Sequence, residues 1–341
     1  MVSSSANPLE FAAPGPRCLA SWSVSLRGAF GKLETCRHEE LRWVPLEAAG
    51  GFSGARLWRG EANRVPLFAL KAWPRNATAE RLTAIHRWIE RAAHLRFVPA
   101  VQRTDAGSTF AVDEGRVWDL TSWMPGTADF HANPSEARLA NACTALAELH
   151  RTWKPAVPEK QSSPAILRRL HALADWNAHR SAFTAIRKPL LLRAVEVVAR
   201  LAERAERALL RELPIPVAVQ PCLCDVWHDH VLFTRNAVTG LVDYGAMKLD
   251  HVAVDLARML GDFVGEDDAR FERGLAAYRE AGGERDVPVE FVRMLDRTGI
   301  VCGIVGWLLR LHVEARLFPD PRAVALRLER LVSRGESIRH F

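Results

Sequence analysis

The sequence predicts an α+β protein of two lobes, an N-terminal lobe of strands with one main helix and a larger, mostly helical C-terminal lobe. Short apolar runs broken by glycine follow one another from Trp43 to Pro74, a pattern typical of strands joined by tight turns. After residue 126, apolar residues recur at helical spacing over most of the chain. Two short apolar runs between residues 222 and 245 interrupt this helical half.

Length and composition fit a globular protein. The chain has 341 residues, of which 48% are hydrophobic and 25% charged, close to the averages of globular domains. A chain of this length buries a sizeable core and is long enough for two domains or one large two-lobed unit. Disorder, collagen-like repeats and small disulfide scaffolds are therefore excluded as descriptions of the whole chain.

Charge and cysteine usage restrict the partners and the compartment. Lysine and arginine exceed aspartate and glutamate by 6, an excess too mild to require a nucleic-acid partner. The six cysteines are scattered, which favours a reducing compartment over a disulfide framework. No signal peptide is visible, and the most apolar stretch, 299–309, is too short for a membrane span and predicts a buried core helix. We therefore expect a cytoplasmic protein without membrane or nucleic-acid partners.

The predicted N-terminal lobe follows a lead-in rich in Ser, Ala and Pro, residues 1–16, which we expect to be flexible. Residues 43–74 predict three strands, with a glycine turn between the first two. Apolar spacing near 3.6 then predicts one amphipathic helix over 78–94, with Thr78 as its N-cap.

Two further strand patterns complete this lobe, at residues 97–102 and 109–124, the second with a turn at Glu114–Gly115. A segment with Pro and Gly, residues 122–126, ends the run of strands. We therefore predict an N-terminal lobe, a hinge and a C-terminal lobe over residues 17–121, 122–126 and 127–341.

Helical periodicity dominates the C-terminal lobe. The pattern predicts helical stretches at residues 134–152 and 164–213, followed by a break at 214–221. A last helical stretch is predicted over 255–341. Between the break and the last stretch, residues 222–233 and 238–245 predict two short apolar strands. These two strands carry most of the chemically interesting polar residues.

Aspartate and histidine side chains are concentrated between residues 222 and 261, among apolar runs. Carboxylates beside apolar segments are costly to desolvate unless they meet a cation or hydrogen-bond donors. Two aspartates on adjacent short strands could hold a divalent metal while one accepts a proton from a hydroxyl. The alternative is a hairpin whose turn at 235–237 simply needs polar flanks.

Within this segment Asp225 is followed after four residues by His230-Val-Leu-Phe, then by Gly240-Leu-Val-Asp243-Tyr-Gly and by Asp255-Leu-Ala. The series resembles the catalytic segment of the aminoglycoside phosphotransferase and choline-kinase-like family, which carries H-G-D-x-x-x-x-N-V-L-F, a turn, G-x-I-D-F or a close variant, and D-L-A. The match in order, spacing and flanking apolar residues spans residues 222–261.

The resemblance implies a protein-kinase-like two-lobed fold, with an antiparallel sheet lobe for the nucleotide and a helical lobe for the acceptor. It implies an ATP-dependent phosphotransferase acting on a hydroxyl of a small molecule, with Mg²⁺ or, in its place, Mn²⁺. Phosphoryl transfer needs positioning and charge neutralisation more than covalent chemistry. The resemblance assigns Asp225 to orient and deprotonate the acceptor hydroxyl, Asp243 as the main metal ligand, and His230 to the second metal position.

Weaker parts of the resemblance assign nucleotide-binding residues in the N-terminal lobe. The glycine turn lies where a kinase-like loop approaches phosphates, and a plain hairpin turn is the alternative. The lysine within Phe68-Ala-Leu-Lys71 takes the position of the strand lysine that binds the α and β phosphates. The nearest helix glutamate is Glu80, with Glu90 second. The assigned residues are Gly51, Ser53, Gly54, Lys71, Glu80 and, at the adenine edge, Ser122 and Met124.

The chain departs from the family pattern at two places. Leu223-Cys224 replaces His-Gly before the catalytic aspartate, which bears on the geometry of the loop. His230 replaces Asn, and two ideas follow. It is a degraded metal ligand, since Mg²⁺ prefers oxygen, or it holds the loop through a ring N–H or binds a softer metal, which we favour. Asp229 could supply an oxygen instead.

Three further expectations concern support of the site. We expect His228 at the surface of the loop. We expect Asp255 to cap the following helix and to brace the loop. The compact acidic cluster at 262–268 is expected to be a solvated helix start.

The acceptor is the least determined feature. The helical segment 153–212 has twelve lysines and arginines against six acidic residues, whereas a polycationic aminoglycoside should meet an acidic groove. Part of the excess is a solvated face with the i,i+4 pairs Glu196/Arg200 and Glu203/Arg207. We therefore favour a neutral or anionic acceptor. Two alternatives stay open: a pseudokinase that works as a nucleotide-binding or protein-interaction module, and, less favoured, a basic nucleic-acid-associated protein.

Overall fold

The computed structural model describes residue 22, residues 25–27, 33–35 and 41–46, and residues 52–341. The chain divides into two compact units, Met1–Met124 and Pro125–Phe341. The predicted flexible lead-in at 1–16 lies outside the described residues. Within the described ranges, no helix combines the length and the apolar character that crossing a membrane requires.

Antiparallel strands form the first unit. Strands β1 (Ser25–Arg27) and β2 (Leu33–Thr35) pair with each other. The larger sheet of the described residues contains β3 (Arg42–Pro45), β4 (Arg56–Ala62), β5 (Val65–Ala72), β6 (Ala111–Asp113) and β7 (Arg116–Ser122). Its spatial order is β3-β4-β5-β7-β6, and every neighbouring pair is antiparallel. The three strands predicted within 43–74 are confirmed.

The turn between β6 and β7 lies at Glu114–Gly115, as predicted. Both residues are left-handed, with φ of 51° and 67°. A two-residue turn needs this conformation twice because its twist must match that of the flanking strands, and glycine adopts it without a steric penalty.

One amphipathic helix, α1 (Ala79–Arg91), packs in the first unit. Thr78 is its N-cap, and its hydroxyl oxygen accepts the Arg81 N–H at 3.2 Å. One face of the helix is buried, as expected for side chains three or four positions apart. Its residues are Leu82, Ile85, His86 and Ile89. The predicted helix and its cap are confirmed, with a C-terminus three residues earlier than expected.

The predicted strand at 97–102 is wrong. Residues 97 and 98 lie in a turn, and the rest is irregular apart from one isolated bridge between Val101 and Thr121. Pro99 has no N–H to donate to a ladder. The N–H of Ala100 bonds the Ser122 hydroxyl oxygen at 2.9 Å, so the pairing with β7 is limited to the bonds of the Ser122 N–H to the Ala100 carbonyl oxygen and of the Gln102 N–H to the Leu120 carbonyl oxygen.

Helices make up most of the second unit. Those of the described residues are α2 (Glu136–Trp153), α3 (Pro164–His179), α4 (Pro189–Glu212), α5 (Ala253–Val264), α6 (Asp268–Glu280), α7 (Val289–Leu308) and α8 (Pro321–Ser337). The stretch 164–213, expected as helical throughout, is two helices. Pro189 starts the second, because proline restricts the residue before it to extended conformations and suits a first helical position.

Helix α7 forms the core of this unit and packs against α3, α4, α5 and α8. Its apolar half is buried at Ile300, Val301, Ile304 and Leu308, which confirms the buried core helix predicted over 299–309.

The two surface ion pairs predicted on α4 have different outcomes. Arg207 bonds Glu203 at 3.1 Å, as expected. The Glu196/Arg200 pair is wrong, because Arg200 instead donates to the carbonyl oxygens of Gly335 at 2.8 Å and Ile338 at 3.1 Å. The last carbonyls of α8 have no intrahelical N–H partner and need a donor, whereas an exposed ion pair contributes little stability.

Five short strands surround the loop that carries the predicted site: β8 (Glu159–Ser162), β9 (Pro216–Cys222), β10 (Val231–Thr234), β11 (Ala237–Leu241) and β12 (Lys248–Asp250). The helical run breaks at 214–221 as predicted, but most of this break is a strand, β9, the central strand of the sheet β12-β9-β8. Its prolines are tolerated there. Pro216 is the first residue of the strand, and Pro221 lies past the end of β8, where no ladder bond on that side is lost. The strand predicted over 222–233 is wrong for residues 223–230, which form a loop, and only its end is the strand β10.

Candidate active site

A hairpin brings two predicted site residues together. Strands β10 and β11 pair antiparallel, with Val231 opposite Leu241. His230 directly precedes β10 and Asp243 follows β11, so the pairing places both at the same end of the hairpin. The Val242 N–H donates to the His230 carbonyl oxygen at 3.0 Å, and His230 Nε2 lies 3.7 Å from Asp243 Oδ2.

Both ring nitrogens of His230 are engaged. Nδ1 lies 2.6 Å from the main-chain carbonyl oxygen of Asp225, and Nε2 lies 3.1 Å from Trp227 Nε1. A carbonyl oxygen can only accept and an indole N–H can only donate, so Nδ1 carries the proton and Nε2 accepts. The loop-holding ring N–H, one of the two roles considered for His230, is therefore present.

One face of α5 holds the loop of residues 223–230, called loop 223–230 below. Asp255, Arg258 and Asp262 are spaced by three and four residues, which places them on a single helix face. All three side chains bond to this loop, in the same order as its residues follow one another. The conformation of the loop therefore depends on one helix that follows it in the chain.

Asp255 braces the start of the loop, as expected. It is fully buried, and its two oxygens accept the N–H groups of Leu223 at 2.7 Å and Cys224 at 2.6 Å. His150 Nε2 lies 3.0 Å from the same carboxylate, and His150 Nδ1 lies 2.9 Å from the Tyr278 hydroxyl. The predicted capping role is wrong, because Asp255 is the third residue of α5 and turns both oxygens toward the loop.

Asp225 lies between this brace and the hairpin. Its side chain is 44% exposed, and its Oδ1 accepts the Arg258 Nε–H at 3.1 Å. Its Oδ2 accepts no hydrogen bond from the described part of the chain. The arginine thus fixes the orientation of the carboxylate and leaves the second oxygen open to an incoming hydroxyl.

His228 is buried, so its predicted surface position is wrong. Its main-chain N–H donates to Asp262 Oδ2 at 3.0 Å, and its Nδ1 lies 2.6 Å from the same oxygen. His131 Nε2 approaches that oxygen to 3.5 Å. Burial by itself raises the pKa of Asp262, but hydrogen bonds from His131 and His228 and the charges of His228 and Arg258 hold it well below its usual range. Asp262 is therefore a buried anchor rather than part of a solvated helix start.

Cys224 has a left-handed backbone, with φ of 62°. The related family has glycine at this position, and glycine adopts such a φ without penalty, whereas cysteine does not. The bonds from the Leu223 and Cys224 N–H groups to the Asp255 carboxylate nevertheless keep the loop in place. Burial raises the pKa of the Cys224 thiol to about 12, so it is a protonated side chain at neutral pH.

The glycine turn of the first unit is described only in part. Gly51 lies outside the described residues. Ser53 Oγ accepts the Ala55 N–H at 3.3 Å, and Gly54 has φ of 81°, with open space where a Cβ would be. The turn therefore presents backbone that a larger ligand can approach closely.

Lys71 lies on β5 directly opposite Asp119 of β7, and its Nζ is 4.4 Å from the centre of the Trp73 ring. His86, buried on α1, contacts Asp119 through Nε2 at 3.0 Å. Glu80 is exposed in the first turn of α1, where its own backbone N–H and then Thr78 lower the pKa of its carboxyl. The second candidate, Glu90, pairs with Arg103.

The predicted adenine-edge residues close the first unit. Ser122 is the last residue of β7, and its Oγ lies 3.8 Å from the Met124 sulfur. The Trp123 N–H between them donates to the Leu67 carbonyl oxygen at 2.8 Å. Met124 is buried.

Asp243 fits a hard divalent cation. Its side chain is 44% exposed, and its Oδ1 accepts the Gly245 N–H at 3.2 Å, which orients the carboxylate. Mg²⁺ prefers such oxygen ligands. The donor set at His230 fits Mg²⁺ less well, because Nε2 already accepts the Trp227 N–H and imidazole suits softer metals.

Two other groups bring potential metal ligands within 4.8 Å of one another among the described residues. One consists of His131, His228 and Asp262, and includes an exposed member. The other, His150, Cys222 and Asp255, is fully buried. His150 and Asp255 hydrogen-bond as described above, and the Cys222 thiol donates to the Asp250 carbonyl oxygen at 3.3 Å.

Sequence reasoning missed Arg258, Asp262 and His86. For the first two a usable signal exists in D-x-x-R-x-x-x-D, whose spacing aligns three charged side chains on one helix face directly after the predicted site. His86 had no such signal, because a histidine inside an amphipathic stripe resembles an ordinary core position.

Comparisons with known proteins agree with this geometry. A profile of the phosphotransferase enzyme family, APH, matches residues 46–288. No protein of curated function matches the sequence significantly.

Solved structures show the fold. A spectinomycin phosphotransferase in complex with ADP and spectinomycin superposes with a TM-score of 0.63 at 12% identity, covering 87% of this chain and 92% of that one. A choline/ethanolamine kinase family protein from Mesorhizobium loti superposes with a TM-score of 0.57 at 17% identity, covering 86% of this chain and 90% of that one. A macrolide 2'-phosphotransferase from Brachybacterium faecium superposes with a TM-score of 0.53 at 18% identity, covering 88% of this chain and 94% of that one. With its kinase-like α+β fold and a family match over most of its length, this chain belongs to the APH phosphotransferase enzyme family.

Proposed function

We propose that this protein transfers the γ-phosphoryl group of ATP to a hydroxyl group of a small neutral or anionic molecule. The observation that carries the proposal is the arrangement of loop 223–230, in which His230 bonds the Asp225 backbone and lies 3.7 Å from the Asp243 carboxylate. Family membership supports the reaction class. Related folds in complex with ADP, or with an ATP analogue and Ca²⁺, support the use of a nucleotide with a divalent cation.

Asp225 is the proposed base. Its Oδ1 is held by Arg258, and its Oδ2 is the oxygen that would accept the hydroxyl proton as the acceptor attacks. A carboxylate with one oxygen fixed and one available can orient an acceptor as well as deprotonate it, and positioning supplies much of the catalysis in phosphoryl transfer.

Asp243 is the proposed principal ligand of Mg²⁺, or of Mn²⁺ in its place. The bound cation would neutralise charge on the phosphate oxygens of the nucleotide. The contribution of the chain is to keep the Asp243 carboxylate oriented through Gly245 and exposed to solvent.

In the first unit, Lys71 is the proposed clamp for the α and β phosphates. The turn at Ser53 and Gly54, together with Gly51, is proposed to cover them. The adenine edge is assigned to the segment from Ser122 to Met124. Glu80 remains the proposed helix partner of the lysine, although it lies exposed at the start of α1.

A pseudokinase is the second candidate, and one observation favours it. The family has Asn at the position of His230, and here Nε2 accepts the Trp227 N–H instead of facing a metal unopposed. Loss of a second metal ligand would weaken transfer more than nucleotide binding.

The first experiment measures the shift in melting temperature on adding ATP with Mg²⁺ or Mn²⁺. We expect stabilisation that shrinks in Asp243→Asn and persists in the matched control Asp175→Asn, an aspartate of α3 with a similarly half-exposed side chain. No shift at millimolar nucleotide with either metal would contradict both kinase and nucleotide-binding readings.

The second experiment separates an enzyme from a pseudokinase. ADP release is measured with MgATP and a panel of hydroxyl compounds. Asp225→Ala should abolish acceptor-dependent release while nucleotide affinity stays within a few-fold, because Asp225 meets the acceptor and not the phosphates. Nucleotide binding by the wild type without any acceptor-dependent release would favour the pseudokinase, and equal release in Asp225→Ala would contradict the role of that residue.

A further inference from the structure

Two guanidinium groups lie against one indole ring next to Asp225. The guanidinium carbon of Arg327, on α8, is 4.1 Å from the centre of the Trp227 ring. That of Arg258, on α5, is 5.4 Å from the same ring. Such contacts hold a guanidinium in place by cation–π attraction without using its N–H donors. The donors of Arg327 are thus kept in position beside the loop that carries the proposed base.

Arg327 lacks the hydrogen bond that other half-buried arginines make to a carboxylate or, as Arg169 and Arg310 do, to a hydroxyl or carbonyl oxygen. It is half-buried, yet no hydrogen bond or ion pair joins it to any other residue in the described ranges. Four other arginines of the second unit that are at least partly buried each bond a carboxylate: Arg138–Asp129, Arg293–Asp268, Arg297–Glu266 and Arg334–Asp296. Buried charges are normally paired, so Arg327 is poised for a partner that the described residues do not supply.

The charges around Arg327 also favour an anionic partner. Burial, and after it the charge of Arg258, lowers the pKa of Arg327 to about 10, so its protonated form is held at a cost. The two nearby carboxylates partly offset this cost, but each is already engaged, Asp225 by Arg258 and Asp262 by His228. An anion arriving at this place would relieve the mutual repulsion of the two arginines.

We propose that Arg327, together with Arg258, binds an oxyanion group of the acceptor, a carboxylate or a phosphate, next to the hydroxyl that Asp225 orients. The planar fork of a guanidinium matches both groups, because two parallel N–H donors can bond two oxygens. The inference rests on the proposed function and narrows it from a neutral or anionic acceptor to an acidic one. It also gives a local reason why a polycationic acceptor is disfavoured, since two arginines would repel it.

The binding arm of the test uses four probes on one three-carbon skeleton: glycerol, glycerate, glycerol 3-phosphate and the cationic 2-amino-1,3-propanediol. Calorimetric titration of the full-length, nucleotide-free protein should detect glycerate or glycerol 3-phosphate, whose relative affinities distinguish a carboxylate from a phosphate site. Arg327→Met should weaken binding about 10- to 100-fold, as expected for charge-assisted hydrogen bonds. The affinity of Arg327→Lys should lie between those of the wild type and Arg327→Met, because lysine keeps the charge and loses the pair of parallel N–H donors.

Two control variants separate this site from general electrostatics and from the nucleotide site. Arg330→Met removes the same charge from an exposed position one turn further along α8 and should leave anion affinity within about twofold. Lys71→Met removes the proposed phosphate clamp and should also leave it unchanged. Melting temperatures of the ligand-free variants identify any that fail to fold, in which case Arg327→Lys carries the test.

The turnover arm measures ADP release from MgATP with each probe. We expect release with an acidic probe, and in Arg327→Met a rise in KM that exceeds the fall in kcat. Two results would overturn the inference and leave the proposed function standing. One is an equal kcat/KM for glycerol and the acidic probes, and the other is an Arg327→Met variant whose affinity and KM for the acidic probes equal those of the wild type. Absence of binding by both acidic probes likewise overturns the inference. Anion binding that depends on Arg327 without any turnover supports the anion site and contradicts the proposed function.

Discussion

His230 donates its Nδ1–H to the main-chain carbonyl oxygen of Asp225, five residues earlier, at 2.6 Å. The same ring accepts the Trp227 indole N–H on its other nitrogen, so it closes loop 223–230 from within. The proposed base and the proposed metal ligand are therefore coupled through a side chain that differs from the family pattern.

Replacing His230 with Asn should lower activity. Asparagine is too short to reach both the Asp225 carbonyl and the Trp227 N–H, so at least one contact worth about 1 kcal/mol is lost, and kcat should fall about fivefold or more. ADP release is measured with Mg²⁺, Mn²⁺ and Zn²⁺ in parallel, with the exposed His171→Asn as control. A clear gain with Mg²⁺ would instead identify His230 as a degraded metal ligand.

Cys224 should tolerate glycine and reject valine. At φ of 62°, a non-glycine residue costs about 1–2 kcal/mol, which glycine relieves at some cost in chain entropy. We expect Cys224→Gly to stay within about 1 kcal/mol of the wild type, whereas β-branched Cys224→Val should lose at least about 2 kcal/mol. Urea unfolding checks both, and equal stability of the two variants would show that the loop relaxes to another conformation.

Asp255→Ala should be strongly destabilising. The substitution leaves two buried N–H groups and His150 without their common acceptor, and losing one side of such a buried network costs about 3–5 kcal/mol. Urea denaturation should show this loss together with loss of turnover. Asp175→Ala removes a half-exposed side chain whose ion pair with His171 is long, at 3.8 Å, and should change stability by less than about 0.5 kcal/mol.

Asp262 should make stability depend on pH in the acid range. Its pKa is lowered in the folded protein, while the unfolded chain has an ordinary aspartate value of about 3.9. Its contribution is therefore complete above that value and is lost as pH falls below it, because the unfolded chain then takes up the proton first. Asp262→Asn should lower the free energy of unfolding at pH 7 by about 1–3 kcal/mol, and the difference should shrink between about pH 5 and 3. A difference that stays constant to pH 3 would contradict the anchor role.

Local patterns were sufficient wherever the structure depends on neighbours in the chain. The helix after Thr78, the turn at Glu114–Gly115 and the hairpin that brings His230 to Asp243 all follow from caps, glycine and alternation. Proline misled the same reasoning at 214–221, because whether a strand tolerates proline depends on where its neighbour in the sheet ends.

The sequence by itself determined the α+β class, the family and the identity of Asp225 and Asp243 as candidates, because order and spacing along the chain carry that information. Only the tertiary structure decided that Arg258 fixes Asp225, that His228 is buried on Asp262, and that Arg327 arrives beside Trp227 from about a hundred residues later. These contacts join segments that are distant in the chain, and they depend on which charged, polar and aromatic groups the fold brings together in space. Periodicity along one segment contains no information about which partner that is.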